Sequence, residues 1–295
     1  MRILCLHGHG TSSAIFETQL TKVREELGAS FEYIYLDGPV ESERVRGMSQ
    51  MVPGPFFGWF PGYTTAHIGE THALISETIE EDGPFDGIFG FSQGATLALS
   101  FLLQHEISHP GVPPPVRFAA LFSCAGPAFS CDATLSRDLI RSLTGEDLRG
   151  LQARLHAGDV PRSFGSSLPP SARQAYLDTT FSALLLGADN GFMHPSVVGE
   201  WIASSGDDRE REMPRLFHPM LTAARVRIPT AHILGRNDSP DVHAQAELCR
   251  LLCDPSYAVL ASHSGAHDLP HNAEEVSVIC EMIRATVEDA KLMVI

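Results

Sequence analysis

No two cysteines in this chain stand in a C-x-x-C spacing, and Cys249 and Cys253 are four residues apart. Six cysteines scattered through 295 residues make no disulfide framework. The expectation is reduced, mostly buried thiols in an intracellular protein. No run of 18 apolar residues occurs, so no membrane-spanning helix is expected. The chain opens on the strand-like MRILCLHG without a charged and then apolar leader, which points to a cytoplasmic protein. Basic residues are scarce: 21 Lys and Arg face 36 Asp and Glu, for a formal net charge of −15. Such a surface repels phosphate backbones and anionic headgroups, which sets nucleic acid and membranes aside as partners. Internal repeats and low-complexity tracts are also missing. With 43% apolar and 19% charged residues the chain is not a disordered one. Its length suits one or two domains of about 150 residues.

What is present is an alternation of strands and helices, the pattern of an α/β protein with a largely parallel sheet. Short runs bounded by Gly, Pro or Asp read as strands at 2–6, 31–36, 85–91, 117–123, 228–234 and 256–261. They hardly alternate in polarity, as strands covered by helices on both faces need not. Phe16, Leu20, Val23 and Leu27 form one helical stripe, and Ile68, His72, Ile75 and Ile79 another. Residues 93–105 are apolar on nearly all sides, as a helix buried against a sheet would be. Ser239-Pro240 reads as a helix start. Asn272 and Glu275 have the spacing of a reciprocal cap, followed by the stripe Val276, Ile279, Ile283 and Val287.

Two stretches break the alternation. Residues 38–66 lack periodicity and contain VPGPFFGWFPGY. Residues 127–226 separate two strands by far more than the dozen residues a crossover needs. Their helical patches, near 134–156, 171–187 and 193–204, surround the loop PRSFGSSLPPS, and Gly187 to Gly191 reads as a turn. The reading is one domain over 1–295, with 127–226 as a helical cap or lid inserted in it.

The sharpest chemical signal is Gly90-Phe91-Ser92-Gln93-Gly94, a G-x-S-x-G string between the strand-like FDGIFGF and the helix-like QGATLALSFLL. A strand-to-helix turn this tight needs small neighbours. It lifts the Ser92 hydroxyl above the sheet at the positive end of a helix. The plain alternative is a serine that merely caps a buried helix. A serine hydroxyl becomes nucleophilic only with a base to take its proton. In such folds the order is Ser, then Asp or Glu, then His. Downstream, HILGRNDSP ends a strand in a loop with Asp238, and AVLASHSGAHDLPHN ends another in a loop with three histidines. Open α/β sheets build their sites in loops of this kind. Asp238 is favoured over Asp241, which belongs to the following helix. His267 is favoured over His263, at the strand end, and His271, at the next helix cap. Asp268 reads as solvated.

An oxyanion needs two donors. One is the backbone N–H of Gln93; the other is assigned to the N–H of His9, in the loop LHGHGTSS after the first strand. His7 and His9 lack a nearby acidic partner, so no metal is expected. The same loop falls one glycine short of G-x-G-x-x-G, with Asp37 ending the second strand, so a nicotinamide dinucleotide-dependent reductase is a rival reading. It fails at Ser13 and leaves Ser92, Asp238 and His267 as coincidence. The aromatic segment with Phe56, Phe57 and Trp59 is either a core plug or the wall of an acyl pocket beside Ser92.

LHGHGTSS, YLDGP, GPFDGIFGFSQGA, FAALFSCAGP, HILGRND and SGAHDLP together resemble the fungal and animal family of serine hydrolases with the α/β-hydrolase fold. The likeness covers most of the chain outside 127–226. It implies Ser92 as nucleophile, Asp238 as acid and His267 as base, with no cofactor. HGTSSAIFETQL with GPFFGWF is similar to the stand-alone thioesterases of fungal polyketide gene clusters. That resemblance implies release of a polyketide chain from an acyl carrier protein, by hydrolysis or by lactonisation. A carboxylesterase acting on small oxygen esters is the close alternative, and a non-catalytic binding module that kept the fold is a third. A carrier protein is itself acidic, so docking would need a basic patch, for which Arg44, Arg46, Arg209 and Arg211 are the candidates.

Overall fold

A computed structural model describes residues 1–157, 170–189 and 196–293. The chain runs β1 (Arg2–Leu6), α1 (Ser13–Gln19), α2 (Thr21–Leu27), β2 (Glu32–Leu36), β3 (Val40–Glu41), β4 (Phe57–Gly58), α3 (Thr65–Asp82), β5 (Gly87–Phe91), α4 (Gln93–Ser108) and β6 (Phe118–Phe122). It continues through β7 (Ala128–Phe129), α5 (Arg137–Ser142), α6 (Gly145–Ala157), α7 (Ala172–Asp189), α8 (Val197–Ala203), α9 (Gly206–Glu212) and β8 (Leu216–Phe217). It closes with β9 (Thr230–Gly235), α10 (Pro240–Leu251), β10 (Ala258–His263) and α11 (Ala273–Leu292).

Six strands form one sheet in the order β10-β9-β6-β5-β1-β2, every neighbouring pair parallel. The central strands β5 and β6 are buried at every position, which is why neither alternates in polarity. The edge strands β2 and β10 carry the partly exposed residues. One apolar cluster joins Ile3 and Cys5 of β1, Phe16, Leu20, Val23 and Leu27, and the α11 stripe Val276, Ile279, Ile283 and Val287. The other joins Leu4 and Leu6 with Ile68 and Ile75 of α3, the length of α4, and the interior of the 128–217 excursion. Helix α4, buried nearly throughout, lies between the sheet and β7. This sheet, with helices on both faces and the excursion between β6 and β9, is the α/β-hydrolase fold.

The chain passes from β1 outward to β2, then returns to lay β5 on the other side of β1. The order therefore reverses between β1 and β5, where the following loops diverge and leave a crevice at the carboxyl ends of the strands. The 7–11 loop and Ser92 flank this point.

Local departures from the sequence reading have visible causes. The stripe at 16–27 is two helices, α1 and α2, which meet at Leu20, yet all four apolar side chains stay buried. The patch at 134–156 divides into α5 and α6. Asp147 accepts from Thr144 N at 2.7 Å and Thr144 Oγ1 accepts from Asp147 N at 3.2 Å, so a new helix starts there. Helix α9 lies beyond the expected helical patches, which end at 204. Its Glu210 binds Arg137, Arg141 and the buried Arg215, which ties the excursion together. Gly187 to Asp189 continue α7 instead of turning. The rest of that expected turn and most of PRSFGSSLPPS lie outside the described residues.

Candidate active site

Ser92 stands between β5 and α4 with φ 54° and ψ −119°, a left-handed conformation that side chains rarely adopt. Its own N–H donates to Phe122 O at 2.9 Å, which fixes the turn to β6. The flanking glycines are a steric necessity. A Cβ on Gly94 would come within 2.2 Å of Leu6 O, and one on Gly90 within 2.5 Å of Ala95 Cα. The strained turn survives because the helix and β1 close over it without side chains in the way.

Asp238 follows β9 and His267 follows β10. His267 Nδ1 lies 2.8 Å from Asp238 Oδ2, and its Nε2 lies 2.8 Å from Ser92 Oγ. An ionised carboxylate only accepts, so Nδ1 carries the proton and Nε2 is left bare to accept from the Ser92 hydroxyl. The Asp238 side chain is 2% exposed and its second oxygen accepts from Ser239 N, whereas His267 is 35% exposed and open to an incoming group. The imidazole lies against Phe91, ring centroids 5.3 Å apart. Asp241 is in α10, where its carboxylate follows the Ser239 cap instead of meeting His267. His263 is buried, with Nδ1 accepting from Gly265 N, and burial lowers its pKa. Asp268 is not simply solvated: it holds His271 Nε2 at 2.8 Å.

A cleft of about 620 Å³ opens at this point. Ser92, Gln93, His267 and His9 line it, with Arg46, Met48 and Leu186 of α7 among the other walls. Gln93 is the first residue of α4, where a helix N–H has no carbonyl one turn below to bond. His9 lies on the 7–11 loop and lines the same cleft.

That loop is heavily braced. Gly10 N donates to Phe57 O at 2.9 Å, and Phe57 N to Thr11 O at 2.7 Å. Thr11 Oγ1 donates to Gly8 O, and Trp59 Nε1 donates to His7 O at 2.8 Å. Trp59 N in turn donates to Gln93 Oε1. His7 itself accepts from Gly38 N at Nε2 and donates from Nδ1 to Gly8 O. Burial lowers its pKa to about 4, so it stays neutral in this role.

These contacts correct two expectations. Phe56, Phe57 and Trp59 do not line the cleft: Trp59 is fully buried, Phe57 pairs its backbone with the loop, and Phe56 lies beneath the Arg44 guanidinium. The segment is a brace under the loop and not an acyl wall. The dinucleotide reading meets an occupied loop. Ser12 caps α1, and Asp37, the residue offered to a ribose, accepts from Ser13 N at 2.7 Å. Among the described residues no three His, Cys, Asp or Glu side chains gather as a metal set. Nor is any described helix long and apolar enough to cross a membrane. Sequence reading missed His7, Trp59 and Gln93 as one connected brace. The aromatic run was visible, but its direction was not.

A family model described as "Serine hydrolase (FSH1)" matches residues 1–279. Esterase alnB of Emericella nidulans is 37% identical over 275 residues, 93% of this chain and 92% of that one. Hydrolase FUB4 of Fusarium oxysporum f. sp. lycopersici is 27% identical over 290 residues, covering 97% and 98% of the two chains. Serine hydrolase cnsH of Penicillium expansum is 30% identical over 237 residues, 80% of this chain and 92% of that one. Among solved structures, the monoacylglycerol lipase of Paleococcus ferrophilus is similar at a TM-score of 0.47 and 14% identity, covering 98% and 94% of the two chains. With the family model spanning nearly the whole chain, the protein belongs to the serine hydrolase (FSH1) family.

Proposed function

We propose that this serine hydrolase is a thioesterase that releases a polyketide acyl chain from a carrier protein through an acyl-Ser92 intermediate. The observation that carries the reading is the unbroken Asp238–His267–Ser92 hydrogen-bond chain, 2.8 Å at each link, at the mouth of the cleft. Ser92 Oγ attacks the thioester carbonyl while its proton passes to His267 Nε2, and Asp238 stabilises the imidazolium that results. The N–H groups of Gln93 and His9 receive the oxyanion. Collapse breaks the C–S bond, and the imidazolium returns its proton to the departing thiolate. A second nucleophile then gives its proton to His267 and displaces Ser92. Water yields an acid; a hydroxyl of the acyl chain yields a lactone. Leu186 of α7 on the cleft wall supports the second outcome, since an apolar wall excludes water and folds a chain toward attack. The sequence resemblance to stand-alone fungal thioesterases supports the choice of substrate. A carboxylesterase acting on small oxygen esters is the second reading, favoured by the name of the relative from Emericella nidulans.

Carrier docking belongs to the same proposal, with Arg46, which lines the cleft, as its basic element. Arg44 binds Gln50 O and Val52 O, Arg209 binds Ser204 O, and Arg211 pairs with Asp208. The test is intact-mass analysis after incubation with an acyl thioester, its oxygen-ester counterpart and a fluorophosphonate, on wild type and Ser92→Ala. Adducts lost in the variant, with faster acylation by the thioester, are expected, and the product is resolved as acid or lactone. Preference for the oxygen ester selects the carboxylesterase. No adduct with any reagent removes both. Arg46→Glu is expected to slow turnover of carrier-bound substrate and spare the small thioester; equal loss on both removes the docking role.

A further inference from the structure

Glu275 stands where a helix-capping glutamate would, three residues after the Asn272 cap of α11. Asn272 Oδ1 accepts from Glu274 N and Glu275 N, so its half of the cap is made. The Glu275 carboxylate is directed elsewhere. Its Oε1 accepts from Ser264 N at 2.8 Å and from Arg236 Nη2 at 2.7 Å, and its Oε2 accepts from Ser264 Oγ at 2.9 Å. Both donors lie on the loops that carry the catalytic candidates: Arg236 two residues before Asp238, and Ser264 three before His267.

The two loops are also laced directly. Asn237 Nδ2 donates to Ser264 O at 2.7 Å, Asn237 N to Gly265 O at 3.0 Å, and Arg236 N to His263 O at 2.8 Å. A Cβ on Gly235 would lie 2.0 Å from Ala266 O, so the loops are in backbone contact. The Ser264 N–H holds the Glu275 carboxyl below the usual carboxylate range, which keeps it an acceptor at neutral pH.

We infer that Glu275 is a positioning residue of this hydrolase: by gripping Ser264 and Arg236 from α11 it sets the distance of His267 Nε2 from Ser92 Oγ. The inference rests on the proposed role of His267 as base. Side-chain reach explains the geometry. The His267 loop leaves the exposed edge strand β10, which has a neighbour on one side only, so nothing in the sheet restrains it on its outer side. Helix α11, packed on β9 and β10, supplies that restraint through one carboxylate.

The test compares Glu275→Ala and Glu275→Gln with Arg284→Ala on a chromogenic ester and in the rate of fluorophosphonate labelling of Ser92. Arg284 lies on the same helix and binds Glu26 far from the loops, so its loss weakens α11 without touching the grip. A shift of about 1 Å in a catalytic group costs on the order of 100-fold in rate. Glu275→Ala is therefore expected to lower kcat and the labelling rate by that order, with KM nearly unchanged. Glu275→Gln, whose Oε1 still accepts from Ser264 N, is expected to recover part of the loss, and Arg284→Ala to keep full kcat. An unchanged kcat in Glu275→Ala, or a fall that Arg284→Ala shares, overturns the positioning role. A His267→Ala variant that labels as fast as wild type overturns the base assignment instead, and the inference with it.

Discussion

The candidate active centre is held from two sides by unlike means. On the side of the proposed oxyanion donors, the 7–11 loop rests on buried, uncharged groups: Trp59 at 0% exposure, neutral His7, and the backbone of Phe57. On the acid–base side, the loops after β9 and β10 are gripped by the ion pair of Arg236 and Glu275, with side chains 54% and 20% exposed. The difference follows from burial. The groups that fasten the 7–11 loop are buried, so they must be neutral and hydrogen-bonded. β10 is an edge, where charged groups keep part of their hydration and can be used at small cost. One side therefore fails when packing or protonation changes, and the other when a single carboxylate is lost.

Ser92, where the two sides meet, gives the largest effect. In a triad that acts as a unit, loss of the serine costs on the order of 10⁶-fold in kcat. Ser92→Ala is expected to reach that level with an unchanged melting profile; residual turnover close to wild type would show that the two sides do not converge on this hydroxyl. On the oxyanion side, Trp59→Ala removes a fully buried indole, a change that costs about 3–5 kcal/mol in cores. Trp59→Phe keeps most of the packing but leaves His7 O unpaired, for about 1–3 kcal/mol. Urea unfolding measures both, and a phenylalanine variant as stable as wild type would mean that the indole N–H is no part of the brace.

Acid separates the sides further. His7 has its pKa lowered from 6.5 to about 4 by burial, and His72 likewise. Between those values the unfolded chain takes up protons that the folded chain refuses. The stability due to a neutral buried His7 is thus complete above about pH 6.5 and disappears as pH falls to about 4, a difference of roughly 3 kcal/mol. Unfolding midpoints across this window should fall more steeply for wild type than for His7→Asn; parallel lines would remove His7 from the account. The smallest effect is expected from Arg236→Ala, below about 1 kcal/mol, because an exposed ion pair contributes little and Ser264 still holds Glu275. A larger loss would mean that the acid–base side depends on its charges as strongly as the other side does on its packing.

Much of this was legible in the chain. The six strands lie where short apolar runs stood between breakers, and the four interior ones announce themselves by composition. Ser92 was marked by its glycines, whose absent side chains are a local demand of the turn. Asp238 and His267 were marked by strand ends and order, and the structure places both within hydrogen-bonding reach. Less legible were contacts between residues far apart in sequence. PFFGWF is apolar whether it faces a substrate or a core, and hydrophobicity has no direction until the loop it supports is in place. Asn272 and Glu275 have the spacing of a cap, yet the glutamate turns to Ser264, because a charge-assisted bond to a neighbouring loop is available only once β10 and α11 are packed. The sequence by itself determined the strands and the tight glycine-flanked turn at Ser92, since these depend on local sterics and periodicity. Which side chains hold those groups in register was decided by tertiary structure alone, since a hydrogen bond between distant residues exists only after the sheet has brought its loops together.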